Sequence, residues 1–204
     1  YKGEPYRYVV LRRTLLYPQK TGRLKIEPLT LDISVQVPSN RRDFFGNLIS
    51  STVNKTVSAG SSFIDVKPLP IDNKPNDFSG AVGDFNFEIK SDKKELLIDE
   101  AFQLSLIISG NGNFNLFEDP KISLPSSLEV YEPEKISNVS VRAGGIRGKI
   151  SNKFTIVPNV PGKYTIPQTK FSFFNPQVEE YLTIYSDPIY ICLLYTSDAA
   201  DDDT

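Results

Sequence analysis

Along most of the chain, short runs of alternating apolar and polar residues are interrupted every few positions by Pro, Gly, Asn or Asp. Alternation at period two puts successive side chains on opposite faces and predicts half-buried β-strands. In the second half the runs are Asp84 to Ile89, Ala101 to Ser109, Leu128 to Tyr131, Val139 to Arg142, Lys149 to Val157, Lys163 to Phe173 and Tyr181 to Ile191. Turn signals separate them at Ser91 to Lys94, Gly110-Asn111-Gly112-Asn113, Pro120, Pro125, Gly144-Gly145 and Asn175-Pro176. About seven short strands over roughly 100 residues is the pattern of an immunoglobulin-like sandwich. No segment with helical period and length competes with it.

A repeat extends this reading to the first half. Pro18, Gly22 and Ile26 fall over Pro158, Gly162 and Ile166, and in each copy an apolar run reaches the Pro, a turn ends in Gly and a second run follows. Pro cannot donate to a ladder and Gly supplies positive φ, so each copy predicts a hairpin at an equivalent domain corner. Tyr164 then stands where sandwiches carry a tyrosine corner, with Leu24 at the equivalent position of the first copy. Between the copies, Pro and turn residues crowd the stretch from Val66 to Gly80. The expected organisation is an all-β chain of tandem immunoglobulin-like β-sandwich domains, the first one truncated. Residues 1–72 form the C-terminal part of the first domain, residues 73–83 a semi-rigid Pro/Gly-rich linker, and residues 84–191 the complete second domain.

The final stretch, residues 192–204, abandons the alternation and ends in acids. It resembles a translated sequencing-library adaptor and is set aside as a non-native tail. Without Asp198, Asp201, Asp202 and Asp203, 23 bases face 21 acids, and the formal charge moves from −2 to +2. Cys192, the only cysteine, leaves with it.

Composition narrows the chemistry. Hydrophobic content of 39% with 24% charged residues suits a packed globular domain. A near-neutral chain lacks the basic footprint of a nucleic-acid binder. With no His and one Cys, the usual ligands of zinc and transition metals are nearly absent, and so are most nucleophile and base pairs. No cofactor, metal site or catalytic residue is expected. No apolar run reaches the length of a membrane helix, so any anchor is expected outside this segment.

Several motifs invite a chemical reading. Gly110 to Asn113 could cradle phosphate, but Phe114 to Phe117 alternate like a strand where a phosphate loop needs a helix, so a hairpin or bulge turn is expected. Asp65, Asp72, Asp77 and Asp84 match no calcium loop and read as a solvated linker. The pairs Asp99/Glu100, Glu118/Asp119 and Glu179/Glu180 point to opposite faces if they lie in strands, and make no acid–base dyad. Arg12-Arg13 and Arg41-Arg42 are the dense basic spots, and Asn54-Lys55-Thr56 and Asn138-Val139-Ser140 match the glycosylation pattern. The candidate contact loops are Gly110, Asn111, Gly112, Asn113 and Phe114, with Gly144, Gly145 and Arg147.

Three stretches carry a family resemblance: Tyr6 to Pro28 through Leu16-Tyr17-Pro18; Val66-Lys67-Pro68-Leu69-Pro70 with Phe78-Ser79-Gly80-Ala81-Val82-Gly83; and Asp99-Glu100-Ala101 with Ile108 to Asn113. On these the chain resembles the BatD family of aerotolerance, or oxygen tolerance, proteins. The resemblance implies a bacterial envelope protein with a signal peptide, immunoglobulin-like domains on the periplasmic side and a membrane anchor near its C-terminus. It also implies assembly with von Willebrand A-domain membrane proteins of the same operon type, and no catalytic residues. The expected function is non-enzymatic protein–protein interaction in a membrane-associated complex. The alternative is an adhesin or carbohydrate-binding module with a platform drawn from Phe114, Phe117, Phe171, Phe173, Phe174 and Tyr181.

Overall fold

The structure, a computed structural model, describes residues 3, 5, 7–10, 14–98, 100–142 and 144–194. Those residues contain strands and turns and no helix, so none of them crosses a membrane as a helix. The chain divides into a smaller unit, Tyr17–Pro70, and a larger one that takes in Ile71 onward.

The smaller unit is two antiparallel ribbons. Strand β1 (Gly22–Ile26) pairs with β4 (Ser62–Val66), and β2 (Thr30–Arg42) forms a long hairpin with β3 (Leu48–Ser58). Leu31, Ile33, Val35 and Val37 alternate along β2 and stand opposite Val57, Lys55, Val53 and Ser51, which gives one ribbon face its apolar character. No described residue of this unit is buried.

The larger unit is an immunoglobulin-like sandwich. One layer holds β5 (Gly83–Ser91), β7 (Phe102–Gly112) and β10 (Gly145–Pro158) in that order, with β8 (Leu128–Val130) and β9 (Glu134–Arg142) end to end along the far side of β10. The other holds β11 (Gly162–Ile166), β14 (Ile189–Leu193) and β6 (Glu95–Leu96), plus the hairpin of β12 (Lys170–Asn175) and β13 (Glu180–Tyr185). Alternation decides which side chains face inward: Phe85, Phe87 and Ile89 from β5, Leu104, Leu106 and Ile108 from β7, and Phe171, Phe173 and Ile191 from the opposite layer form one buried cluster. At its centre Phe85 meets Phe114, Phe117, Phe171 and Phe173, each at a centroid distance of 5.3 to 5.8 Å and steeply tilted.

The repeated Pro…Gly segment is a corner between layers and not a hairpin. In the second copy β10 pairs with β7, β8 and β9, while β11 pairs with β14 in the opposite layer. In the first copy β1 pairs with β4, and residues 14–17, just before Pro18, form no strand. The two strands separate after Pro158 because β10 and β11 present their inward faces from opposite sides of the core. Tyr164 fastens that corner: its hydroxyl donates to the Val160 carbonyl and accepts the Val160 amide at 3.3 Å.

Two expected strands each split in two for the same reason. Lys163 to Phe173 breaks at Pro167 to Thr169, and Tyr181 to Ile191 breaks at Ser186 to Pro188. The breaks bond each other: the Ser186 amide donates to the Thr169 carbonyl at 2.9 Å, and the Thr169 amide to Ser186 Oγ at 3.0 Å. Strand β14 also runs through Cys192 and Leu193, with Leu193 buried, so the first residues of the segment set aside as a tail complete the fold. Residues 195–204 lie outside the described residues.

Residues 73–83 do not hang free as a spacer. Ala81 is fully buried, Phe78 stacks edge-on against Tyr181 at 5.1 Å, and the Phe174 amide donates to the Ala81 carbonyl at 2.8 Å. The apolar members of this stretch, Phe78, Ala81 and Val82, belong to the sandwich that follows them.

Candidate interaction surface

The sequence places Gly110 to Phe114 and Gly144 to Arg147 on separate turns; the structure brings them to one end of the β5–β7–β10 layer. Arg147 stands opposite Asn111 and Gly148 opposite Gly110, and Asn111 Nδ2 donates to the Gly144 carbonyl at 3.3 Å. The turn expected at Gly110 to Asn113 does not form there. Strand β7 continues to Gly112, which pairs with Gly83, and the turn follows at Asn113, whose carbonyl accepts the Leu116 amide at 2.8 Å. The glycines serve close approach and not reversal: a Cβ on Gly110 would run into the Asp84 carbonyl, and one on Gly112 into the Phe85 ring.

Asn113 and Phe114 are interior residues. Asn113 is 7% exposed; its Oδ1 accepts the Val82 amide at 2.7 Å and its Nδ2 donates to the Gly80 carbonyl at 2.9 Å. It ties the entry segment of the sandwich to the end of β7. Phe114 lies in the aromatic cluster against Phe85. The side chains left at the surface are therefore those of Asn111 and Arg147, beside the β9–β10 hairpin, whose ladder begins at Arg142 and Gly145.

That hairpin carries an edge the sequence under-reported. The expected strand Val139 to Arg142 in fact starts at Glu134, because Ser137, Asn138 and Ser140 mask the alternation of an exposed strand. Among the described residues β9 pairs along one side only, with β10. Charge stands at its ends, Glu134, Lys135 and Arg142, while Ile136 to Val141 holds neither charge nor Pro, and Val141 is 64% exposed. Edge strands are usually blunted by such residues, so an unguarded stretch leaves backbone N–H and C=O groups open to another strand. The opposite edge strand, β5, carries Asp84, Glu88 and Lys90.

A second feature is a cleft of about 350 Å³ lined by Asp77, Glu118, Asp119, Lys121, Lys170 and Ser172. Two of its acids are already bonded to neighbouring side chains. Asp77 meets Lys170 Nζ at 3.0 Å and accepts from Ser172 Oγ at 3.0 Å. Burial pushes the Asp77 carboxyl up, but the bonds from Lys170, its own amide and Ser172 outweigh it and hold it below its ordinary value. Asp119 Oδ2 accepts from Lys135 Nζ at 2.9 Å and Asn152 Nδ2 at 2.8 Å. No group of acidic or thiol side chains among the described residues is arranged to hold a metal ion.

The remaining candidates are dispersed. Of the proposed sugar platform, Phe114, Phe171, Phe173 and Phe174 are buried, and Phe117 and Tyr181 are half-buried. Asp65 lies in β4 of the smaller unit. Asn54 and Asn138 lie within strands. Arg12, Arg13 and Asp99 fall outside the described residues.

A family model described as the BatD DUF11 like domain matches residues 89–192, which is the sandwich from the end of β5 to β14. The chain belongs to the BatD family. No curated protein and no solved structure matches it. The family is not a known enzyme family.

Proposed function

We propose that this BatD-family chain is a non-enzymatic component of the bacterial envelope whose sandwich domain binds protein partners in a membrane-associated complex linked to oxygen tolerance. In this reading the full-length protein is anchored in the membrane with its domains on the periplasmic side. The partners are von Willebrand A-domain membrane proteins of the same operon type. The observation that carries the binding role is the unguarded edge of β9, from Ile136 to Val141, next to Asn111 and Arg147. A partner strand laid along β9 would gain main-chain hydrogen bonds from the edge and side-chain contacts on alternate residues. Arg147, exposed on β10, can grip a carboxylate beside it.

The test is capture from a bacterial membrane extract by the chain and by its Val141→Lys variant. Val141 is 64% exposed, so the variant folds normally while placing a charge on the edge. Recovery of a von Willebrand A-domain protein by the parent, and its loss with the variant, supports the reading. Equal recovery by both removes β9 from it, and recovery of polysaccharide alone replaces it with the carbohydrate-binding alternative.

A further inference from the structure

The β2–β3 hairpin of the smaller unit ends in Asp43-Phe44-Phe45-Gly46-Asn47. Phe44 is 98% exposed and Phe45 85%, with the rings edge-on to each other at 5.6 Å. Leu48 and Ile49 extend the apolar cap, at 55% and 44% exposure. Two adjacent aromatic rings held almost wholly in water are unusual, because aromatic side chains carry the largest apolar area of any residue.

The turn that holds them is tightly built. The Asp43 amide donates to the Asn47 carbonyl at 2.9 Å, and the Gly46 amide to the Asp43 carbonyl at 3.0 Å. Asp43 Oδ1 accepts the amides of Phe45 at 2.9 Å and Asn47 at 2.8 Å. Arg42 Nη1 donates to the Gly46 carbonyl at 2.7 Å. The rings are thus presented in advance, and little ordering remains to be done on binding.

Behind the cap stand Arg41 and Arg42, both exposed. The Arg41 backbone lies three strand positions back from Phe44, roughly 10 Å at about 3.3 Å per residue, while the Arg42 guanidinium reaches forward to the turn that it braces. That separation matches the depth of roughly 5 to 10 Å to which interfacial segments bury their apolar face below the headgroups. All residues from 40 to 58 are exposed, so the end of this ribbon can meet a flat surface without hindrance from its own flanks.

We propose that the β2–β3 tip docks on an anionic phospholipid bilayer, with Phe44 and Phe45 entering the interface and Arg41 at the level of the headgroup phosphates. The layering of an apolar end over cationic side chains fits an anionic lipid surface, in which apolar groups enter below the headgroups and cations meet the phosphates. This inference does not depend on the β9 edge or on the partners proposed for it.

The chain has no Trp, so Phe44→Trp in the full chain supplies a single reporter at the tip. With vesicles containing phosphatidylglycerol, its emission shifts to the blue and is quenched by brominated lipid. The double variant Phe44→Ser/Phe45→Ser lowers the vesicle-bound fraction about ten-fold or more, since most of the buried apolar area is removed. Arg41→Gln weakens binding to the anionic vesicles, as does 1 M salt. Because these side chains touch little of the fold, all variants melt like the parent. Unshifted emission with anionic vesicles, or equal sedimentation of parent and double-Ser chains, overturns the proposal. A shift produced by a soluble protein extract and not by vesicles also overturns it, in favour of a protein pocket.

Discussion

Asn113→Ala tests whether the end of β7 is a structural clamp and not a contact loop. The substitution removes the acceptor of the Val82 amide and the donor to the Gly80 carbonyl, both made by a side chain that is 7% exposed. Each lost hydrogen bond is worth about 1 kcal/mol net, and a backbone group left unpaired out of water costs about 1–3 kcal/mol. Val82 and Gly80 are half-buried, so water recovers part of that penalty, and the expected loss is about 2–3 kcal/mol. For a domain of this size that lowers Tm by roughly 8 to 15 °C. The assay is urea and thermal unfolding followed by circular dichroism, with Asn113→Asp as a second variant. Aspartate keeps the acceptor for Val82 but sets an oxygen against the Gly80 carbonyl, so it is destabilised as well. A change within 0.5 kcal/mol of the parent for Asn113→Ala, the range of an ordinary surface substitution, would refute the clamp.

Tyr164→Phe removes the hydroxyl bonded to Val160 and costs about 1 kcal/mol, read as a lower denaturation midpoint with unchanged m-value. Gly110→Ala forces a Cβ into the Asp84 carbonyl at a φ of +146°, and costs more than about 3 kcal/mol; expression as a folded protein with parental Tm would contradict the packing. Asp77→Asn loses the ion pair to Lys170 and weakens the bond from Ser172, about 1–2 kcal/mol at neutral pH. Because the folded-state pKa of Asp77 lies below the unfolded value of ~3.9, its contribution is complete above that pH and is lost as pH falls below it. Parent and variant should therefore converge in stability as pH falls below about 4, and a gap that persists in acid contradicts this.

The sandwich was legible in the sequence where one face is buried and the other wet. In β5 alternation is clean, since Phe85, Phe87 and Ile89 face the core while Asp84, Asn86 and Glu88 face water, whereas in β7 it breaks where Leu106, Ile107 and Ile108 are all buried. It was least legible where strands change layer. Pro158 to Gly162 reads locally like a hairpin, and only the demand for inward faces on both sides of the core separates β10 from β11. The glycines of Gly110 to Gly112 misled for a related reason: their lack of a Cβ permits a turn, but it also permits the Asp84 carbonyl and the Phe85 ring to approach. At the candidate surface the sequence located both segments but not their meeting, which is set by the register of β7 on β10. The full length of β9 was hidden because a solvent-facing edge has no apolar stripe to announce it. The exposure of Phe44 and Phe45 had no sequence signal either, since an aromatic pair reads as core until its surroundings are known.

The central claim is that partners bind along the β9 edge, and photo-crosslinking tests it most directly. A photoreactive residue is placed at Asn138 on β9, and separately at Asn86 on the exposed face of β5, and each chain is irradiated in a bacterial membrane extract. The account predicts an adduct with a von Willebrand A-domain protein from position 138 and none from position 86. Adducts from position 86 alone, or from neither position while the chain still captures that protein, would contradict it.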